Sequence, residues 1–226
     1  MVIIATVPAL FIVAAHAAEL DPSFAAWLKA QAGIQTWSAD LTQTRMLKTF
    51  TQPLTATGHV WFAAPNRFRW EIGNPASTIA VHQGDEMTVI YPRLKRAERY
   101  SLSGGQAGTW KDMLALLEAG FPHSQTEVEA RFRILSQTRS NAVTHLTLQP
   151  KSSVARRMMP ELNISFGTND LALRSTEMVF ADGSRMRNDF TNQVLNPKLA
   201  EEFFTPKLGG DYKIVEPLNP QKGGGR

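Results

Sequence analysis

The segment Asn66 to Glu71 reads NRFRWE and sets Arg67, Arg69 and Glu71 in strict alternation with Phe68 and Trp70. Successive side chains of a strand leave on opposite faces, so a period of two divides this stretch into a charged face and an aromatic one. The same period returns along most of the chain. Trp37, Ala39 and Leu41 alternate with Ser38, Asp40 and Thr42, Phe132 and Ile134 with Arg131 and Arg133, and Leu146 and Leu148 with His145 and Thr147. Leu162, Ile164 and Phe166 alternate with Asn163 and Ser165, and Met186 and Phe190 with Arg185, Arg187 and Asp189. A chain patterned in this way folds as an antiparallel sheet with one apolar face. Something large and apolar, either the core or a bound molecule, lies against that face.

The predicted order is a meander. Strands are expected at Gly58 to Phe62, Arg67 to Ile72, Thr78 to His82 and Met87 to Tyr91, with Gln83-Gly84-Asp85-Glu86 as a tight turn. Asp182-Gly183 turns the chain between Leu171–Phe180 and Ser184–Asn192. Helices are expected at three places. Asp21-Pro22 starts a short amphipathic helix over 22–33, with Phe24, Trp27, Leu28 and Gln31 at helical spacing. Thr109 to Ala119, TWKDMLALLEA, places Trp110, Met113, Leu114 and Leu117 on one stripe, capped by Thr109 and Asp112 and stopped by Gly120. The third is a short piece from Pro197 to Phe204.

With 226 residues the chain is expected to form one domain over 19–220, followed by a flexible tail, 221–226. Residues 1–18 carry no charge, and Ala15-His16-Ala17 has the small-x-small pattern read by signal peptidase, so this stretch is expected to be an export signal, although no Lys or Arg precedes it. There is no cysteine, which excludes disulfides, thiol catalysis and cysteine-based zinc sites. The five histidines, His16, His59, His82, His123 and His145, show no paired metal spacing, and no nucleophile elbow or phosphate loop occurs. No catalytic residue, metal or cofactor is therefore expected. The formal charge of +4 falls short of a dedicated nucleic-acid protein, and the aromatics lie opposite the charges, so nucleic acid is rejected as a partner. The basic run Arg93, Lys95, Arg96, Arg99 reads either as a solvated strand face or loop or as a docking patch for an acidic partner or anionic membrane.

The order ADLTQTR (39–45), GHVWFAAPNRFRWE (58–71) and PASTIAVHQGDEMTVIYP (75–92) resembles the front half of the LolA-type outer-membrane lipoprotein carriers. LNISFGTNDLALRSTEMVFADGSRMRNDF (162–190) and FFTPKLGGDYKIVEPL (203–218) resemble its back half. The resemblance implies a mainly β fold with helices, a curved antiparallel incomplete barrel covered by helices and enclosing an apolar cavity for acyl chains. It also implies a monomeric periplasmic carrier, not an enzyme, that takes acylated lipoproteins from an inner-membrane ATP-binding-cassette exporter to an outer-membrane receptor. Phe68 and Trp70 then face the cavity, and Arg67, Arg69 and Glu71 the water. Further lining is expected from Trp37, Leu41, Trp61, Ile79, Val81, Met87 and Val89 in the front half and from Ile164, Phe166, Met186 and Phe190 in the back half. The lid helix adds Met113, Leu114 and Leu117. Met87, Met113, Met158, Met178 and Met186 suit such a lining because the thioether side chain adapts to irregular space. The chain departs from the family at Ala64, where an Arg before Pro65-Asn66 would tie the lid to the barrel. Carriage of another acyl lipid or glycolipid, lipid sensing in envelope regulation, and action on lipids as an enzyme are the alternatives.

Overall fold

The computed structural model describes residues 22–102, 122 and 124–217. The expected signal segment, the tail and the helix bearing Met113, Leu114 and Leu117 lie outside the described residues. Among those described, twelve strands form one sheet: β1 Thr36–Met46, β2 Leu54–Ala63, β3 Arg67–Ile72, β4 Thr78–Gln83, β5 Glu86–Tyr91, β6 Arg96–Ser101, β7 Phe132–Ser140, β8 Val143–Pro150, β9 Glu161–Gly167, β10 Leu173–Val179, β11 Arg185–Leu195 and β12 Lys213–Val215. Their spatial order is β12-β6-β5-β4-β3-β2-β1-β11-β10-β9-β8-β7. Two meanders therefore meet where β1 pairs with β11, and the only parallel pairing among the described residues is β12 on β6. The sheet is large, curved and unclosed, with β7 and β12 as its edges.

Register fixes the two faces. Phe68 pairs with Phe62 and His82, Trp70 with Val60 and Ala80, and these lead on to Met87 and Val89 of β5 and to Tyr100 of β6. In the other direction the same face runs through Trp37, Ala39 and Leu41 to Phe190, and on through Met178 to Leu162, Ile164, Leu146 and Leu148. This is the concave face. Helix α1, Pro22–Ala32, lies in the concavity and buries Phe24, Trp27, Leu28 and Gln31, the four residues expected from helical spacing. Trp27 stacks on Phe166 at 4.6 Å between ring centroids.

Two short helices, α2 Gln125–Arg131 and α3 Ser153–Met158, were not expected from the sequence. Each is capped by a serine: Ser124 accepts a hydrogen bond from the Glu127 backbone N–H at 3.1 Å, and Ser152 from that of Ala155 at 3.3 Å. The expected helix from Pro197 is instead a 3-10 turn, Glu201–Phe204.

The outer face of β2–β4 is also covered. As the chain leaves β11, Asn196 Oδ1 accepts from the backbone N–H groups of Gln35 and Thr36, turning it back over the sheet. Phe203, Phe204 and Leu199 then pack on Trp61, Ala63, Ile79 and Val81. Trp61, Ile79 and Val81, expected in the cavity, thus face the opposite way, because Trp61 pairs with Arg69, Arg69 with Val81 and Glu71 with Ile79. Nor do Arg67 and Arg69 simply face water. Arg67 lies over the Phe204 ring at 5.5 Å and pairs with Glu201 at 3.0 Å, while Arg69 lies over Phe203 at 5.0 Å and pairs with Glu71 at 2.6 Å.

Gly58 sits where β3 closely approaches β2: a Cβ there would stand 2.0 Å from the Glu71 carbonyl oxygen. No side-chain rotation relieves a clash with backbone, so the strands must separate. Gly58→Ala is expected to cost about 1–3 kcal/mol, read as a lowered urea midpoint; an unchanged midpoint would mean that the strands part freely here.

Candidate functional site

The concave face has two regions of different character. Around β1, β11, β10, β9 and β8 it is filled by α1, and Trp37, Leu41, Ile164, Phe166 and Phe190, expected as lining, are buried core side chains. Trp37 meets Phe190 edge-on at 5.3 Å and donates its indole N–H to Gln193 Oε1 at 3.1 Å.

The second region is the concave face of β3–β6. Phe68, Met87, Tyr100 and Leu102 form its buried layer, and Trp70, Ala80 and Val89 pack against them while remaining half-buried. Trp70 belongs to both regions, since it also packs on the first cluster and meets Phe190 edge-on at 6.2 Å. Phe68, Trp70, Met87 and Val89 thus lie together on one surface.

Polar groups frame this surface. Tyr100 donates its hydroxyl to Glu98 at 2.6 Å, and Arg96 pairs with the same carboxylate at 2.6 Å. Burial first, and then Glu98, push the Tyr100 phenol well above its ordinary value, so it remains a donor. His82, only 3% exposed, lies beside Phe68 with ring centroids 5.3 Å apart. Desolvation holds it below its ordinary value of 6.5, against the opposing pull of the Gly84 and Asn66 backbone and of Asp85.

The folded chain therefore keeps His82 neutral at pH values where the unfolded chain binds a proton. Stability is full above about pH 6.5 and falls as the pH drops below it, by at most about 1.4 kcal/mol per pH unit from this group. Thermal melts between pH 7 and pH 5 are expected to show that slope and His82→Leu to flatten it. A slope identical in the two proteins would remove His82 as its source.

The basic run does not form one patch. Arg96 points to the concave side with Tyr91, whereas Arg99 lies on the outer face opposite Thr88 and pairs with Glu86 at 3.5 Å. Lys95 pairs with Asp211 at 3.2 Å and lies over Tyr212 at 5.1 Å. Three of the four cations thus hold strands and the C-terminal segment, and Arg93 stands apart in the turn Pro92–Leu94.

A third feature holds Met158 and Met186, two of the methionines expected as cavity lining: an open cleft of about 600 Å³ between the β10–β11 turn, the end of α3 and the loop after β1. Its apolar walls are Leu47, Met158, Phe180 and Met186, with Arg45 and Arg185 at the rim. These positions come from a loop, a helix end and strand ends, so no periodicity links them. Among the described residues there is no cluster of His, Asp or Glu suited to a metal, and no helix is long and apolar enough to cross a membrane.

The fold is a half-barrel with an apolar concavity. The chain belongs to the family described as outer membrane lipoprotein carrier protein LolA, which matches residues 32–207, and so falls among lipid- and lipoprotein-binding carriers. Solved structures similar to it include an uncharacterized conserved protein from Thermus thermophilus (10% identity, 84% of this chain and 94% of that one, TM-score 0.49). A LolA superfamily protein from Nitrosomonas europaea is similar at 9% identity over 79% and 96% of the two chains, with TM-score 0.41. A putative outer membrane lipoprotein-sorting protein domain from Vibrio parahaemolyticus gives 14% identity, 80% and 94%, and TM-score 0.45. No curated protein matches the sequence.

Proposed function

We propose that this protein is a periplasmic carrier that shields the acyl chains of lipoproteins and ferries them from the inner to the outer membrane without catalysing a reaction. Its partners on this reading are an inner-membrane ATP-binding-cassette exporter and an outer-membrane receptor. The observation that carries it is the half-buried apolar surface of Trp70, Ala80 and Val89 over the Phe68–Met87–Tyr100 layer, in a chain of the lipoprotein-carrier family. Burial contributes about 0.8 kcal/mol per methylene, so a 16-carbon chain exposed to water costs on the order of 10 kcal/mol. A lipoprotein cannot cross water without a cover for that surface. A carrier must also release it, which favours broad aromatic rings and pliant methionines over close packing.

Ala64, where family members would have the Arg that fastens a lid, favours a second reading, carriage of another acylated lipid. Native mass spectrometry of protein purified from its own periplasm tests both. Co-purified lipoprotein supports the first reading and free lipid the second. Protein that is empty, and that takes up neither acylated peptide nor lipid in vitro, would sink the carrier assignment.

A further inference from the structure

The cleft at the β10–β11 turn lies outside the β3–β6 surface, and its chemistry differs. Its walls, Leu47, Met158, Phe180 and Met186, are apolar, and two of the four are methionines whose side chains can settle around a flexible chain. Phe180 and Met186 also pack against the main core, so the floor is firm while Met158 remains open to solvent. At about 600 Å³ the cleft is in the range, about 300–1,000 Å³, that small-molecule pockets occupy.

The rim is cationic and built. Arg45 Nε donates to Gln43 Oε1 at 2.7 Å, Gln43 Nε2 to Asn188 Oδ1 at 3.1 Å, and Asn188 Nδ2 to Thr176 Oγ1 at 3.3 Å. Gln43, Asn188 and Thr176 are buried, so this ladder across β1, β11 and β10 fixes the Arg45 side chain from beneath. No carboxylate among the described residues forms a salt bridge with Arg45, and both its Nη groups are free of one. Arg185, also on the rim, is 3.5 Å from Glu177, and Lys48 acts electrostatically on Asp182. Asp182 is the opposing charge in the lining. Its two oxygens are taken up by the backbone N–H and hydroxyl of Ser184, at 2.8 and 3.0 Å.

We infer that this cleft is a second binding site, for one acyl chain bearing an anionic head group: the chain lies along Met158, Phe180 and Met186, and a carboxylate or phosphate sits on Arg45. A guanidinium with no acidic partner among the described residues, beside an apolar wall, fits an anionic amphiphile, and a neutral one would leave its charge-assisted hydrogen bonds unmade. The carboxylate of a fatty acid and the phosphate of a monoacyl phospholipid share this chemistry.

The test displaces a hydrophobic fluorescent probe from the full chain with oleate, oleoyl lysophosphatidate or monoolein. At low salt one or both anions are expected to compete about tenfold better than neutral monoolein, the gain of one charge-assisted hydrogen bond. The competing anion then names the source. Arg45→Gln is expected to remove the preference without changing the melting temperature. Met186→Trp, which fills the cleft, is expected to weaken binding of both anions. Equal competition by all three amphiphiles, or an unaltered preference in Arg45→Gln, overturns the site. A fatty acid carrying a photoreactive diazirine separates this outcome from the carrier reading. Adducts at Leu47, Met158, Phe180 or Met186 support the cleft. Adducts confined to Trp70, Met87 or Val89 overturn it and leave the carrier reading standing, and adducts at neither surface defeat both.

Discussion

Trp27→Ala is expected to lower stability by about 3–5 kcal/mol, in the range of large-to-small changes at fully buried aromatic sites. Trp27 is 0% exposed, belongs to the main core cluster, and stacks on Phe166 from β9 and on Phe24 of its own helix. Nothing on the curved sheet can collapse into the space that the ring vacates, since Leu146, Leu162 and Ile164 are anchored in strands. The indole N–H has no hydrogen-bond partner among the described residues, so Trp27→Phe loses volume and no bond there. It is expected to cost less than half as much. Urea unfolding followed by circular dichroism reads both variants, with a lowered midpoint at an unchanged slope marking lost packing in the native state. A Trp27→Ala protein that unfolds at the wild-type midpoint would show that α1 does not hold the concave face.

Much of this architecture was legible in the residues, and the reason is physical. β1, β3, β9 and β11 each bury one face more deeply than the other, so their period of two survives in the sequence as Trp37-Ala39-Leu41, Phe68-Trp70, Leu162-Ile164-Phe166 and Met186-Phe190. The Asp182-Gly183 turn was legible because glycine there takes a φ of +87°, a left-handed value that other residues avoid. Alternation identifies two faces but does not say how many partners cover them. In β2 and β4 both faces are apolar, Val60 and Phe62 against Trp61, Ala80 against Ile79 and Val81, because the C-terminal segment returns over the outside. Such strands read as continuous apolar runs, and assigning residues of their outer faces to the cavity misplaced Trp61, Ile79 and Val81.

β6 was legible only as one reading of the basic run, a strand face or loop, for the opposite reason. RAERYS carries charge on both faces, and what makes it a strand is its pairing with β5 together with the Arg96–Glu98 and Arg99–Glu86 ion pairs. Likewise β12, three residues long and parallel to β6, depends on a contact between residues more than 100 positions apart and leaves no local signature. The candidate site divides along the same line. The alternation of NRFRWE sets Phe68 and Trp70 apart from the charges and the family resemblance adds Met87 and Val89, whereas the cleft as a unit, assembled from element ends, follows from neither.

The two faces of β3 should respond to mutation in opposite ways. Trp70→Ala is expected to weaken binding of acylated peptide about tenfold or more, equivalent to at least roughly 1.4 kcal/mol of lost apolar contact. Because Trp70 is half-buried, its truncation is expected to cost less stability than the 3–5 kcal/mol of a closed core site. Arg69→Ala, one residue away on the outer face, removes the ion pair with Glu71 and the contact over Phe203. These losses loosen the C-terminal segment by about 1 kcal/mol, and acyl binding is expected to stay at the wild-type level. Any fall in delivery to a partner caused by Arg69→Ala should shrink as salt is raised, since charge at a rim acts through screened attraction. Displacement of a hydrophobic probe by acylated peptide, run beside thermal melts of both variants, reads the two faces separately. If Trp70→Ala binds acylated peptide as well as wild type while melting far lower, the β3–β6 surface is ordinary core and the carrier reading loses its central strand.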